Sequence, residues 1–300
     1  MAHDIYLYGM TLLTTSHLLD EDFPALDTYA EISESHRLPG GETGTCAVVL
    51  ASLGCSVKID GNWQGTETYQ PLMGYMGRAG VDASRLHLDE TFEGLQDLVI
   101  IDRHSRTVFG KFRAYYRNTL KRWSAPCPED IEQAAAVGLD PYFSEQAIEA
   151  ARLCRKFGKP YVTIDCRHDS EMHRCSAVNA ISHEYLDQQY PGMSAEELFK
   201  LYTEETDGLV IFTFGVKNLL YGRRGQKPKS FEPYRVDAVS TLGAGDTFKA
   251  GVVYGLFKGF DDEGIVRFAS AAAAAACSAF PIYHNPPTLE KVNRIMESRE

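Results

Sequence analysis

The sequence predicts an α/β fold, and three observations carry that prediction. Between residues 134 and 213, short apolar runs alternate with amphipathic stretches, the pattern of parallel βαβ units. The last third reads as consecutive helices that begin at a glycine-rich turn. The chain has 300 residues, 44% of them apolar, enough to close a full-size core without a disulfide or metal staple.

Ile5–Gly9 is a short apolar run ending in glycine and reads as the first strand. Residues 10–39 are mixed and polar, with Pro24 and Pro39, and read as irregular or edge-strand structure. At Gly40 and Gly41 the chain turns into the helical pattern ETGTCAVVLASLG, which ends at Gly54. Val57–Asp60 reads as a strand, and 66–80 as a helix closed by Gly80. Leu95–Arg103 and Thr107–Arg113 flank a polar tetrapeptide and read as a hairpin. Strands follow at Ala134–Leu139, Tyr161–Asp165, Ala177–Ile181 and Leu209–Thr213, with helices at 144–157 and 194–205 between them. The closing helices are expected at 244–258, 262–279 and 288–298. With no internal repeat or low-complexity linker, the chain reads as one unit over 1–300, with a β excursion near 10–38 and 92–116.

The formal net charge is −11, which repels nucleic acid and anionic membranes. Any bound anion therefore needs a local device that overcomes the global field. Seven scattered cysteines without a CxxC pair read as reduced thiols in a cytoplasmic protein. No targeting segment or membrane span is expected, because no apolar stretch approaches ~18 residues.

The local device is found in Val239-Ser-Thr-Leu-Gly-Ala-Gly-Asp-Thr-Phe248. Gly243, Ala244 and Gly245 leave backbone N–H groups unshielded where a helix starts, which makes an anion site. A carboxylate beside such a site opposes anion binding, but it suits a general base that deprotonates an attacking hydroxyl, and Asp246 is placed for that role. On the local pattern alone, a helix cap with packing glycines is the competing explanation.

TLGAGDTFKAG resembles the C-terminal signature of the PfkB/ribokinase-like carbohydrate kinases. Pro39-Gly-Gly-Glu-Thr-Gly-Thr-Cys-Ala47 resembles their N-terminal signature, and Ile211-Phe-Thr-Phe-Gly215 their nucleotide-side strand. The resemblance implies a ribokinase-like three-layer core, with a mostly parallel sheet flanked by helices and a small β lid over the sugar site. It also implies ATP-dependent phosphorylation of a hydroxyl on a sugar, ketose or sugar acid, with Mg²⁺ held mainly by phosphates and water, and a homodimer through the lid. Asp246 takes the place of the catalytic base, and Gly243, Ala244 and Gly245 that of the anion hole. Gly40 and Gly41 match the glycine pair at the sugar. Thr213, Gly215, Thr241 and His284 fall on the nucleotide side.

The departures concern the sugar. Thr14 stands where the family usually has Asp, and Thr45 where it has Asn, so hydroxyl-holding capacity is reduced. Thr11, Glu42 or Thr43 are candidates to take over. Ser240 replaces the Asp associated with a monovalent cation, so potassium activation is not carried over. Asn179 and Glu184 lie near the Mg²⁺ motif with the wrong separation. These departures keep open a nucleoside kinase and a catalytically weak ligand-binding regulator.

Cys166, His168, His173 and Cys175 bring four soft ligands into ten residues, but with no usual zinc spacing, so a solvated loop is the favoured reading and no metal is assigned. Arg167 in that loop is a candidate phosphate contact. The basic, aromatic-rich stretch 103–123 reads as a lid strand rather than a nucleic-acid surface, and Arg113 and Arg117 are its candidate contacts to an anionic substrate. The alanines of 262–279 suit tight packing better than an adenine platform.

Overall fold

A computed structural model describes residues 3–117, 121–143 and 145–299. Among them a nine-stranded sheet runs in the order Lys229–Phe231, Lys217–Gly222, Leu209–Phe214, Val178–Ser182, Tyr161–Ile164, Ala136–Leu139, Ile5–Gly9, Val57–Gly61 and Val81–Asp82. From Leu209–Phe214 to Val81–Asp82 the neighbouring strands are parallel. The two pairings at the other edge are antiparallel.

Both faces of the parallel part of this sheet are covered, which is why its central strands are mostly apolar rather than alternating. Ile5 and Leu7 face a core shared with helices Glu42–Ser52, Tyr69–Arg78, Ala244–Phe257, Asp262–Cys277 and Leu289–Glu297. Tyr6 and Tyr8 face the opposite side, against Pro128–Gln133 and Glu145–Lys156. Ile181, Val210 and Phe212 extend that second face under Ala195–Glu204. The three layers are thus helix, sheet, helix.

The alanine-rich helix is buried for packing. Ala271, Ala272 and Ala275 are in the core, and a Cβ on Gly251 would lie 2.6 Å from the Cα of Ala269. Helices Ala244–Phe257 and Asp262–Cys277 therefore touch backbone to backbone, which fixes where the glycine-rich turn at 243–245 emerges.

A second, four-stranded sheet stands beside the first in the order Ile32–Gly40, Leu12–Leu19, Gln96–Ile101 and Arg106–Gly110. Residues 10–39, expected to be irregular or edge structure, are instead mostly two long paired strands. Polar Thr14 and Ser16 turn inward to the space between the sheets, and the start of strand Ile32–Gly40 is exposed on both sides, which hides the usual alternation. The hairpin at 95–113 forms, with Asp102 accepting from the N–H groups of His104 at 2.8 Å and Ser105 at 2.6 Å. Its second strand stops at Gly110, and Phe112–Arg117 is helical rather than extended. Phe112 folds back over Gly110, where a Cβ would sit 2.3 Å from its ring, and packs on the second core. Among the described residues, no helix is long and apolar enough to cross a membrane.

Gly251→Val is expected to destabilise the chain by about 1–3 kcal/mol through overpacking. Gly74→Ala, in helix Tyr69–Arg78, meets only the Arg78 guanidinium at 3.5 Å and is expected to stabilise it by about 0.5–1 kcal/mol. Urea denaturation of both variants checks the pair, and equal midpoints would contradict the close helix approach.

Candidate active site

The C-terminal ends of the parallel strands share one edge of the main sheet, where open α/β sheets bind ligands. Gly9, Asp140, Asp165, Ser182 and Thr213 lie along it. A cavity of about 300 Å³ opens there between the two sheets. Its wall brings together Gly40, Gly41, Thr14, Thr45, Gly243, Gly245 and Asp246, residues from three distant parts of the sequence.

Gly243 caps helix Ala244–Phe257 in the left-handed conformation, with φ 74°. The conformation and the neighbouring Ile282, 2.7 Å from a hypothetical Cβ, both require glycine. The N–H groups of Gly243 and Gly245 have no backbone acceptor among the described residues, and Gly245 faces open space. The expectation for Ala244 needs correction, because its N–H donates to the carbonyl of Thr241 at 3.2 Å. Asp246 is half-buried in the first turn of the helix and accepts from the Thr45 hydroxyl.

Beneath Asp246 lies an ion pair that the sequence reading did not find. Lys249 and Asp140 are both wholly buried and joined directly. The other oxygen of Asp140 accepts from the Met10 N–H at 2.9 Å and the Thr43 hydroxyl at 2.8 Å. A Cβ on Gly9 would sit 2.0 Å from the same oxygen, so the glycine that ends the first strand makes room for this carboxylate. Burial pulls the Lys249 ammonium down, but Asp140 more than offsets this and holds it above its ordinary value. Two signals could have revealed the pair. Lys249 is a lone cation in an otherwise apolar helical stretch, and Asp140 directly follows a fully buried strand.

Two further acids face the cavity. Glu42, in the first turn of helix Glu42–Ser52, accepts from the Tyr142 hydroxyl at 2.7 Å through one oxygen. Burial, then the charges of Asp140 and Asp246, push its carboxyl up to about 8. Asp97 sits opposite Thr14 in the second sheet and accepts from its hydroxyl. Burial pushes Asp97 up to about 6, against that hydrogen bond. Burial likewise raises Asp246 to about 6, while Lys249 pulls it down, Asp140 up, and Arg106 and Thr45 down.

The glycine pair lines the cavity and has a structural reason of its own. A Cβ on Gly40 would strike the Thr14 hydroxyl at 2.0 Å, and Gly41, at φ 79°, lies against the Met10 carbonyl. Both glycines fit the chain to itself as well as lining the cavity. Among the candidate arginines, the side chains of Arg113 and Arg117 lie outside the described residues. Arg106 does enter, donating to the Thr241 hydroxyl at 3.2 Å.

The nucleotide-side candidates are spread out. Thr213 and Gly215 sit on the same sheet edge but do not line the cavity, and Gly215 makes a turn at φ 62°. His284 lies beside the second sheet, its ring 6.0 Å from that of His36, and does not line the cavity. Ser240 uses its hydroxyl to accept from the Leu242 N–H at 3.1 Å. Asn179 is turned to the opposite face of the sheet, where it meets His173 at 2.8 Å, and Glu184 is exposed beside His183. Arg167 pairs with Asp169 at 2.9 Å instead of reaching into the cleft. Cys166 meets Thr163 and His173 meets the Tyr202 carbonyl, so these side chains serve packing. Among the described residues no group of three or more His, Cys, Asp or Glu is placed to hold a metal.

Residues 3–288 match the family described as pfkB family carbohydrate kinase. The chain belongs to the PfkB family of carbohydrate kinases. It is 23% identical to a 5-dehydro-2-deoxygluconokinase of Clostridium perfringens, over 93% of this chain and 90% of that protein. It is 27% identical to a nucleoside kinase of Methanothermobacter thermautotrophicus, over 90% of this chain and 88% of that one. Its fold is similar to that of an Arabidopsis thaliana ribokinase solved with ribose and ATP, with TM-score 0.79, 18% identity, and 99% of both chains covered. The ribokinase-like core and the separate lid-like sheet expected from the sequence are both present in this PfkB chain.

Glu42 dominates the pH behaviour of this site. The folded chain holds its proton up to about 8, whereas an unfolded glutamate releases it near ~4.3. The folded state thus binds more protons between these values, and stability falls as pH rises through that window. Glu42→Gln removes this loss, so its stability relative to the parent is expected to rise between pH 5 and 8, by at most about 1.4 kcal/mol per pH unit. Urea denaturation across that range checks it, and parallel curves would contradict it.

Proposed function

We propose that this chain transfers the γ-phosphoryl group of ATP to a hydroxyl of a small carbohydrate (a sugar, ketose or sugar acid), with Asp246 as the general base. The observation that carries the reading is Asp246 on the cavity wall, in the first turn of a helix whose left-handed glycine cap leaves backbone donors facing the same space. Bound ATP supplies the phosphoryl group and leaves as ADP.

The chain's own groups divide the remaining work. The N–H groups of Gly243 and Gly245, with the positive end of the helix dipole behind them, hold the phosphoryl oxygens. Arg106 adds a cation at Thr241, on the rim next to this turn, and offsets negative charge gathering beside Asp246. Asp246 takes the proton of the acceptor hydroxyl, and Thr45 holds its carboxylate in place. Lys249 and Asp140 are positioning residues that keep the start of the helix docked on the first strand. Neither Asn179 nor Glu184 fits as a preformed ligand for Mg²⁺, so no step is assigned to the ion.

A nucleoside acceptor is the second reading. The relative named a nucleoside kinase motivates it, and so does the apolar wall of Phe112, Phe280 and Tyr283, which suits a flat ring.

Asp246→Asn is expected to lower kcat by about 10²–10⁴ while the fold is kept. In the parent enzyme kcat/KM should rise through a limb near pH 6, because the base works only when ionised. Steady-state ADP release over pH 4.5–8 checks both. Unchanged turnover in the Asn variant would remove Asp246 from the chemistry.

A further inference from the structure

The cavity wall carries a feature that phosphoryl transfer does not use. One oxygen of Glu42 and one oxygen of Asp97 are fully buried and have no hydrogen-bond partner. Both residues line the cavity, from opposite sides: Glu42 from the start of a main-sheet helix, Asp97 from the second sheet. Each carboxylate has its other contact settled, Glu42 with the Tyr142 hydroxyl and Asp97 with the Thr14 hydroxyl. A buried oxygen without a donor is costly to keep, so such atoms mark where a ligand donor completes the structure.

The register explains how Asp97 came to this position. Thr14 occupies the place where a carboxylate was expected from the resemblance, and its direct ladder partner is Asp97. A carboxylate thus stands one strand across the second sheet from that place, and the Thr14 hydroxyl donates to it. Glu42 adds a second acceptor that the Thr45 position cannot supply, because the Thr45 hydroxyl is spent on Asp246.

The charge balance of the wall then restricts the acceptor. Glu42, Asp97 and Asp246 are all acids, and among the described wall residues Arg106 is the cation. Arg106 is engaged with the Thr241 hydroxyl, beside the glycine-rich turn, and makes no hydrogen bond to either open carboxyl oxygen. Lys249 is spent on Asp140. An anionic group at the Glu42–Asp97 end would meet the Asp97 charge and no side-chain cation among the described wall residues there.

We infer that Glu42 and Asp97 are the specificity-determining residues of the acceptor end, and that the acceptor is a carbohydrate presenting hydroxyl or ammonium donors there, not a sugar acid or sugar phosphate. This rests on the kinase reading above, and it narrows the substrate class that reading left open. Asp97 accepts a hydrogen bond from the acceptor on one side of its ring, the Glu42 carboxyl meets a hydroxyl on the other, and the apolar wall covers the ring faces. The acceptor hydroxyl is thereby presented to Asp246.

The test is a matched panel of neutral aldoses, ketoses and polyols, amino sugars, aldonic and uronic acids, sugar phosphates and nucleosides. Each is read twice, by calorimetric binding and by ADP release from Mg–ATP. Binding is expected from the neutral or amino-bearing sugars, with the matched acids weaker by about 100-fold or more. For the best acceptor, Asp97→Asn and Glu42→Gln are each expected to raise KM about tenfold or more, with the loss falling on acceptor KM and not on the KM for ATP. Asp97→Asn should also narrow the gap between neutral and acidic ligands, which a purely structural role would not do. Preferred binding of an acid or a phosphate, no binding by any carbohydrate of the panel, or acceptor KM unchanged within twofold in both variants would overturn the inference. Binding of a neutral sugar without phosphorylation supports the inference and overturns the kinase reading instead.

Discussion

The structure turns on one buried ion pair. Lys249 and Asp140 have no access to water, so each is tolerated only because the other is there and because Met10 and Thr43 complete the carboxylate. That single carboxylate joins the turn after the first strand, the start of helix Glu42–Ser52, the end of strand Ala136–Leu139 and the helix that carries Asp246. Gly9 is glycine because a side chain would occupy the same space. The glycine-rich turn and Asp246 stand where they do because Lys249, one helical turn further on, is anchored beneath them.

The pair also governs the electrostatics above it. Glu42 and Asp246 both feel Asp140, and Lys249 is the cation that holds Asp246 near 6 instead of letting burial push it further. A base with a value near neutrality is suited to take a proton from a hydroxyl and to release it afterwards. The negative charge of the whole chain, −11, is therefore not an obstacle to phosphate chemistry. In the proposed function, backbone amides and Arg106 supply the local field, while the acids face the acceptor.

Much of the fold was legible in the sequence. Parallel strands buried on both faces show as short apolar runs, and the glycine turns that bound them are explicit. Ile5–Gly9 and the helix ends at Gly54 and Gly80 fall where expected. The second sheet was hard to read because its strands are half polar and stabilised by pairing across distant sequence, as in Leu12–Leu19 beside Gln96–Ile101. The motif gave Asp246 and the glycine turn directly. It could not give Asp97, because the relation of that residue to Thr14 exists only in the register, nor Arg106, because reach into a cavity is a three-dimensional property. Asn179 looked like a ligand by position, but alternation along its strand points it to the far face, towards His173.

The central claim is that Lys249 and Asp140 set the protonation of Asp246, the proposed base above them. The most direct measurement is the titration of the Asp246 carboxyl by ¹³C NMR in the parent chain and in Lys249→Met. The account predicts a midpoint near 6 in the parent and a higher one in the variant, because the lysine's attraction is lost while burial remains. A midpoint near ~4 in the parent, or one that does not move when the lysine is removed, would contradict it.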